Sequence, residues 1–205
     1  MTPTELVVAI TGASGAAYAR RLVDVLAGKI QRIHLIVSEH GAQVAAAELG
    51  VALDADDFSL REFLGRAPAN VILHHHADLA APVASGTCPA EAMVIVPCSM
   101  RSLGCIAAGC GTNLVHRAAD VMLKEGRPLI LVPRETPLSA IHLESMLKLT
   151  RAGACIMPAC PAFYQHPQSV GDVVDFVVGK ILVRLGVEQD LLKPWSGGKS
   201  ELEPR

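Results

Sequence analysis

Two apolar runs that stop at a proline constrain this chain more than any other feature. The first, Met93-Val94-Ile95-Val96-Pro97, opens onto Cys98-Ser99-Met100-Arg101-Ser102. The second, Pro128-Leu129-Ile130-Leu131-Val132-Pro133, opens onto Arg134-Glu135-Thr136-Pro137. Short continuous apolar runs mark strands covered on both faces, the habit of parallel sheets. In open sheets of that kind, ligands bind at the carboxyl ends of the strands. The first exit presents hydroxyls where a helix begins, which suits a phosphate or a polar ring edge. The second sets an arginine beside a glutamate, a pair with acid–base potential.

The remaining elements are built to the same plan. Leu6 to Ile10 is another buried run, followed by the turn Thr11-Gly12-Ala13-Ser14-Gly15 and a helical pattern to about Leu26. Ser14 is positioned to cap that helix and to bond a phosphate or ring nitrogen. By itself the turn fits a ligand-free connection equally well. It lacks the full glycine fingerprint of a dinucleotide site, and the next strand, Arg32 to Val37, ends at Ser38 rather than at an acid. Both observations argue against NAD and leave room for a phosphate. Ser38 starts a helix through about Leu49, on which Glu48 reads as a solvated carboxylate.

A short helical piece near Ser59 to Leu64 and a brief strand, Val71 to Leu73, come next. The small-residue loop from Ala77 to Pro89 is long enough to be functional. After Ser99 a small-residue helix runs to about Gly109, and Asn113 caps a helix that ends at Gly126. Arg117, Asp120 and Lys124 share one face of it, either as a solvated ion-pair face or as a phosphate site. A helix from about Ser139 to Ala152 and a last strand, Cys155 to Met157, precede the loop Pro158 to Gln168 with Phe163 and Tyr164. Ser169 and Asp172 make a capping-box start. The apolar stripe of Val170, Val173, Val174, Val177, Val178, Ile181, Leu182 and Leu185 follows, with Lys180 off it. This alternation predicts an α/β fold: a doubly wound, mostly parallel sheet in three layers. The chain reads as one domain over 1–195 with a flexible tail over 196–205.

Composition narrows the function. A net charge of −2 with no basic stripe gives nucleic-acid binding no support. Hydrophobic residues make up 51 % of the chain, yet no apolar run reaches membrane-spanning length. The N-terminal stretch lacks the basic region of a signal peptide, so a cytoplasmic protein is expected. The surplus apolar surface points to subunit interfaces. The six cysteines form no C-x-x-C pair and are expected to be reduced and buried, with no structural zinc site at these spacings. His74, His75 and His76 alternate faces on a strand, cannot all reach one ion, and read as a solvated strand end.

Several pieces occur together in one order: Gly12-Ala13-Ser14-Gly15, Pro97-Cys98-Ser99, Arg117-Ala118-Ala119-Asp120-Val121, Lys124-Glu125, Arg127-Pro128-Leu129, Pro133-Arg134-Glu135-Thr136-Pro137, Ala162-Phe163-Tyr164 and Pro167-Gln168-Ser169. Over about Leu6 to Trp195 this resembles the UbiX/Pad1 family of flavin prenyltransferases. The resemblance implies a Rossmann-like or flavodoxin-like α/β/α sandwich, a single flavoprotein domain, usually assembled as a dodecamer with sites between subunits. It implies transfer of the dimethylallyl group of dimethylallyl phosphate to N5 and C6 of reduced FMN, without a metal. The prenylated FMN would serve UbiD-type decarboxylases, including those of ubiquinone biosynthesis.

Carried over residue by residue, the resemblance gives an FMN site of Gly12, Ala13, Ser14, Ser38, Ser99, Met100, Arg101, Ser102 and Arg134. The prenyl phosphate would meet Arg117, Lys124, Arg134, Glu135, Tyr164 and Lys180. Ser14, Glu48, Lys124 and Glu135 would be the catalytic residues: Ser14 orienting N5, Glu48 near the reacting flavin, Lys124 on the leaving phosphate, and Glu135 or that phosphate taking the proton lost at C6. Relatives often carry a tryptophan where this chain has Leu79, which points to a slower site or a different prenyl donor. Two other readings stay open, a flavin-dependent decarboxylase and a non-catalytic FMN-binding oligomer.

Overall fold

The computed structural model describes residues 2–192, so the predicted tail over 196–205 and the end of the resemblance at Trp195 lie outside the described residues. Six strands form one sheet: β1 (Glu5–Ile10), β2 (Arg32–Val37), β3 (Val71–His75), β4 (Ala92–Cys98), β5 (Leu129–Pro133) and β6 (Cys155–Ile156). Their order is β3-β2-β1-β4-β5-β6, and every pairing is parallel. The helices are α1 (Ala16–Ala27), α2 (Glu39–Leu49), α3 (Leu60–Leu64), α4 (Met100–Ala108), α5 (Leu114–Lys124), α6 (Ala140–Arg151) and α7 (Val170–Leu185). Among the described residues a single 3-10 turn, Pro82–Ala84, lies in the loop before β4.

The continuous apolar strands are explained by two cores. Leu6, Val8 and Ile10 pack beneath α1 and α7, with Leu22, Val178 and Ile181 among their partners. Val7 and Ala9 point the other way, into a core with Leu103 of α4 and Leu114, Val115 and Met122 of α5. Successive strand residues alternate faces, so a strand between two helix layers has to be apolar throughout. The result is the three-layer α/β fold.

Most predicted elements agree with the structure to within a residue or two, and the differences have physical causes. β3 runs on to His75 because β2 continues beside it, pairing Ile36 with His74 and Val37 with His75. His74 is therefore not a solvated strand end: its Nε2 lies 2.7 Å from Nδ1 of the buried His34. Val170 begins the apolar stripe of α7 but is 79 % exposed, since it precedes the turn that meets the core. The six cysteines are free, but only Cys88 and Cys98 are buried; Cys105 and Cys155 are half-buried, and Cys110 and Cys160 are exposed because both lie in loops at the sheet's carboxyl edge. Among the described residues no helix is long and apolar enough to cross a membrane.

Candidate active site

β1 connects to one side of the sheet and β4 continues on the other, so their carboxyl ends flank the point where the strand order reverses. A crevice opens at such a point. Thr11 ties its two sides together. Its buried hydroxyl donates to Pro97 O at 2.9 Å and accepts from Ser99 N at 2.7 Å. Sequence reasoning passed over Thr11 because a threonine after a strand has no distinguishing pattern.

The crevice is a cleft of 370 Å³ lined by Gly12, Ser38, Ser99, Arg101, Ser102, Asn113 and His116, with Glu39, His40, His76 and Thr112 at its sides. Three helices begin on it. Ser38 caps α2, Ser99 caps α4 and Asn113 caps α5, each by accepting from a backbone N–H of the first turn. Helix N-termini carry partial positive charge and free N–H groups, so three converging ones favour an anion. Gly12 is required by packing, because a Cβ there would lie 2.5 Å from His40 Cβ.

His116 was not expected from the sequence. Its side chain is buried, and Nδ1 is held by Thr112 Oγ1 at 2.9 Å. Nε2 is the buried side-chain polar atom without a hydrogen-bond partner among the described residues. Burial, and then the Arg101 charge, pull its pKa below the ordinary value of 6.5. A polar residue amid Leu114, Val115, Ala118 and Ala119, one turn inside a capped helix, was the signal available. An unpartnered buried nitrogen on a cleft fits a ligand that brings its own polar atoms. FMN, with its phosphate and ribityl hydroxyls, is such a ligand.

The β1 turn differs from expectation. Ser14 does not cap α1; the cap residue is Gly15 at φ 122°, a conformation suited to glycine, and no side chain of the turn bonds the helix. Glu48 of the neighbouring helix α2 does this, accepting from Gly15 N at 2.9 Å and from Ala16 N at 2.8 Å. It is thus a helix cap and not a merely solvated carboxylate. Desolvation pushes the Glu48 pKa up, but hydrogen bonds from the Ser14 hydroxyl and the Gly15 and Ala16 N–H groups, together with the Arg134 charge, hold it below its ordinary value of 4.5. A depressed carboxylate stabilises the fold above its unfolded pKa and loses that contribution as pH falls through the folded one. Glu48→Ala is therefore expected to lower stability by about 1 kcal/mol at neutral pH, a partly exposed cap being screened. The denaturant midpoints of the two proteins should converge as pH drops below 4.5.

Arg134, at the β5 exit, reaches across β4 and donates from Nε to Ser14 O at 3.3 Å. Glu135 is exposed, and its Oε1 accepts from Thr136 N at 3.0 Å. One edge thus gathers Gly12, Ala13, Ser14, Ser38, Glu48, Ser99 to Ser102, Arg134 and Glu135. Ala13 is buried beneath the turn and Met100 is half-buried behind the cleft.

The other residues expected to meet the prenyl phosphate lie elsewhere on the chain. Arg117 donates to Ala84 O at 3.0 Å and to Asp120 at 2.7 Å. Lys124 ends α5, pairs with Glu125 beside Gly86, and so sits at the amino edge of the sheet, opposite Glu135. The reason is geometric, since a crossover helix runs antiparallel to the strands it connects. Tyr164 stacks edge-on against Phe176, 6.0 Å between centroids, beside a separate cleft of 410 Å³ that includes Asp172 and Asp175. Lys180 is exposed on α7, ten residues (about 15 Å) from its start. Leu79 is 54 % exposed.

Comparison with known proteins decides the family. The flavoprotein family matches residues 1–182. A flavin prenyltransferase UbiX from Pseudomonas aeruginosa is 49 % identical over 197 residues, covering 94 % of each chain. The chain belongs to the UbiX family of flavin prenyltransferases. Among solved structures, AnUbiX (PadA1) in complex with FMN and dimethylallyl pyrophosphate is 39 % identical with a TM-score of 0.83, covering 94 % of this chain and 97 % of that one. A dodecameric FMN-dependent UbiX-like decarboxylase from Escherichia coli O157:H7 is 41 % identical with a TM-score of 0.83, covering 94 % and 100 %.

Proposed function

We propose that this protein joins the dimethylallyl group of dimethylallyl phosphate to N5 and C6 of reduced FMN, and that the prenylated FMN is consumed by a UbiD-type decarboxylase, including in ubiquinone biosynthesis. The observation that carries the flavin reading is the cleft at the β1–β4 reversal, where three helix N-termini and the unpartnered His116 Nε2 meet. Gly12, Ala13, Ser14, Ser38, Ser99 to Ser102 and Arg134 hold the FMN. The reduced flavin supplies an electron-rich ring that is alkylated.

Departure of the phosphate leaves positive charge on the allyl group and negative charge on the leaving oxygens. Lys124, Arg134 and Lys180 stabilise those oxygens, and Arg117 and Tyr164 help bind them. Ser14 orients the flavin edge, and Glu48 fixes the turn that carries Ser14. Closing the second bond needs a proton added to the dimethylallyl double bond and the C6 proton removed; Glu135, or the released phosphate, delivers the first and accepts the second. Because Lys124 and Glu135 lie on opposite edges of one chain, the full set is completed in a homo-oligomer, a dodecamer by likeness to the UbiX-like decarboxylase. The exposed Ile141, Leu143 and Leu147 of α6 supply apolar surface for such contacts, and the protein works in the cytoplasm.

The test is anaerobic mixing with reduced FMN and dimethylallyl phosphate, followed by mass spectrometry of the flavin. The expected product carries one added dimethylallyl unit, with phosphate released. Bound but unaltered flavin with this donor and with longer donors, or carbon dioxide released from a hydroxybenzoate by this protein alone, would overturn the reading. A second expectation concerns His116. Replacing it by leucine removes one hydrogen bond to a charged ligand, roughly 1.5–3 kcal/mol, and should weaken FMN binding ten- to a hundredfold. Riboflavin, which lacks the phosphate, should lose much less in the same fluorescence titration.

A further inference from the structure

Far from the flavin cleft, at the amino edge of the sheet, three metal-ligating side chains of different chemistry converge. Glu5 opens β1, His34 lies within β2, and Cys88 sits in the loop ahead of β4. One donor atom from each falls within 4.8 Å of the other two. His34 and Cys88 are each 4 % exposed, and the Glu5 side chain is 12 % exposed. His34 Nε2 is 2.7 Å from Glu5 Oε1, and its Nδ1 is 2.7 Å from His74 Nε2.

We propose that Glu5, His34 and Cys88 form a binding site for a zinc-class divalent cation that ties β1, β2 and the loop before β4 together. Imidazole, thiolate and carboxylate are the ligand types zinc takes, and three protein ligands leave a fourth position for water. Tetrahedral donors at zinc bond lengths stand roughly 3.4–3.7 Å apart, so the 2.7 Å Glu5–His34 contact opens slightly and the Cys88 thiol, within 4.8 Å of both, needs at most a small inward shift. The outer groups are in place. His74 holds the far nitrogen of His34, as a second partner holds most metal-bound imidazoles. Arg32 pairs with the other Glu5 oxygen at 3.2 Å. The Cys88 loop is fixed by Arg127, which donates to Cys88 O at 2.6 Å and Ala90 O at 3.0 Å. On binding, the Cys88 thiol releases its proton, and the His34 proton resides on Nδ1, donating to His74. The three residues are 29 and 54 positions apart in sequence, so no spacing rule reveals them. The site is independent of the flavin reading.

Titration of the chelator-stripped, full-length protein with Co(II) under anaerobic conditions tests it. The expected result is one Co(II) per chain, with a thiolate-to-cobalt charge-transfer band, the intense visible bands of a four-coordinate ion, and displacement by Zn(II). Cys88→Ser should remove the charge-transfer band. Glu5→Gln, which keeps an acceptor for His34 and so guards against misfolding, should weaken Co(II) binding at least tenfold. His75→Ala, in the exposed Asp56–His75–His76 cluster, should leave the spectrum unchanged. Absence of a thiolate band in the folded protein, its survival in Cys88→Ser, its loss in His75→Ala, or unaltered affinity in Glu5→Gln would each overturn the proposal.

Discussion

Glu135→Gln and Lys124→Ala are each expected to lower prenyl transfer by two to three orders of magnitude while FMN affinity is unchanged. The sizes are those of a lost proton acceptor and a lost charge on a leaving group. Neither residue lines the cleft of its own chain, so flavin titrations should look like wild type. Their separation sets up a sharper result. Glu135 follows β5 at the carboxyl edge, whereas Lys124 ends α5 at the amino edge. If one active site draws them from two subunits, chains that each carry one substitution complement one another. Co-expressed in equal amounts, the two inactive variants should form oligomers with roughly a quarter of their sites intact. Complete inactivity of the mixed oligomer would mean that the two residues do not act across a subunit boundary.

Thr11→Val should give the largest loss among changes that remove no charge. The substitution keeps the shape but leaves Ser99 N–H without its acceptor and removes the bond to Pro97 O. An unsatisfied buried group costs about 1–3 kcal/mol, and for a chain of this size each kcal/mol moves the melting midpoint by about 2–4 °C. The midpoint is therefore expected to fall by about 2–12 °C. FMN binding should weaken too, because Ser99 positions the start of α4 on the cleft. Thr11→Ser retains the hydroxyl and should restore both properties. A Val variant that melts and binds like wild type would remove Thr11 from the set of residues that shape the cleft.

The acid dependence of Glu48 and the flavin dependence of His116 illustrate why sequence reading reached only part of this site. Local signals were legible. Ser38, Ser99, Asn113, Ser139 and Ser169 each cap the helix they precede, and the Ser169–Asp172 capping box forms as expected. Capping is decided by the nearest three residues, so it can be read from the chain. Ser14 misled for the opposite reason. The φ of 122° at Gly15 turns the backbone so that Glu48, from another helix, meets the free N–H groups. Thr11 acquires its role from a partner 88 residues away, and His116 from the cleft that its unpartnered Nε2 borders, so both depend on the whole sheet.

The sequence by itself determined the strands, the helices, their caps and the doubly wound class, because apolar periodicity and cap chemistry act over a few residues. Its ordered motifs also carried the family. Tertiary structure alone decided what meets at each edge of the sheet. The crossover through α5 returns the chain to the opposite edge, which separates Lys124 from Glu135, and the strand order brings Glu5, His34 and Cys88 together. Such meetings depend on register and strand order, which are properties of the packed sheet and of no single stretch of chain.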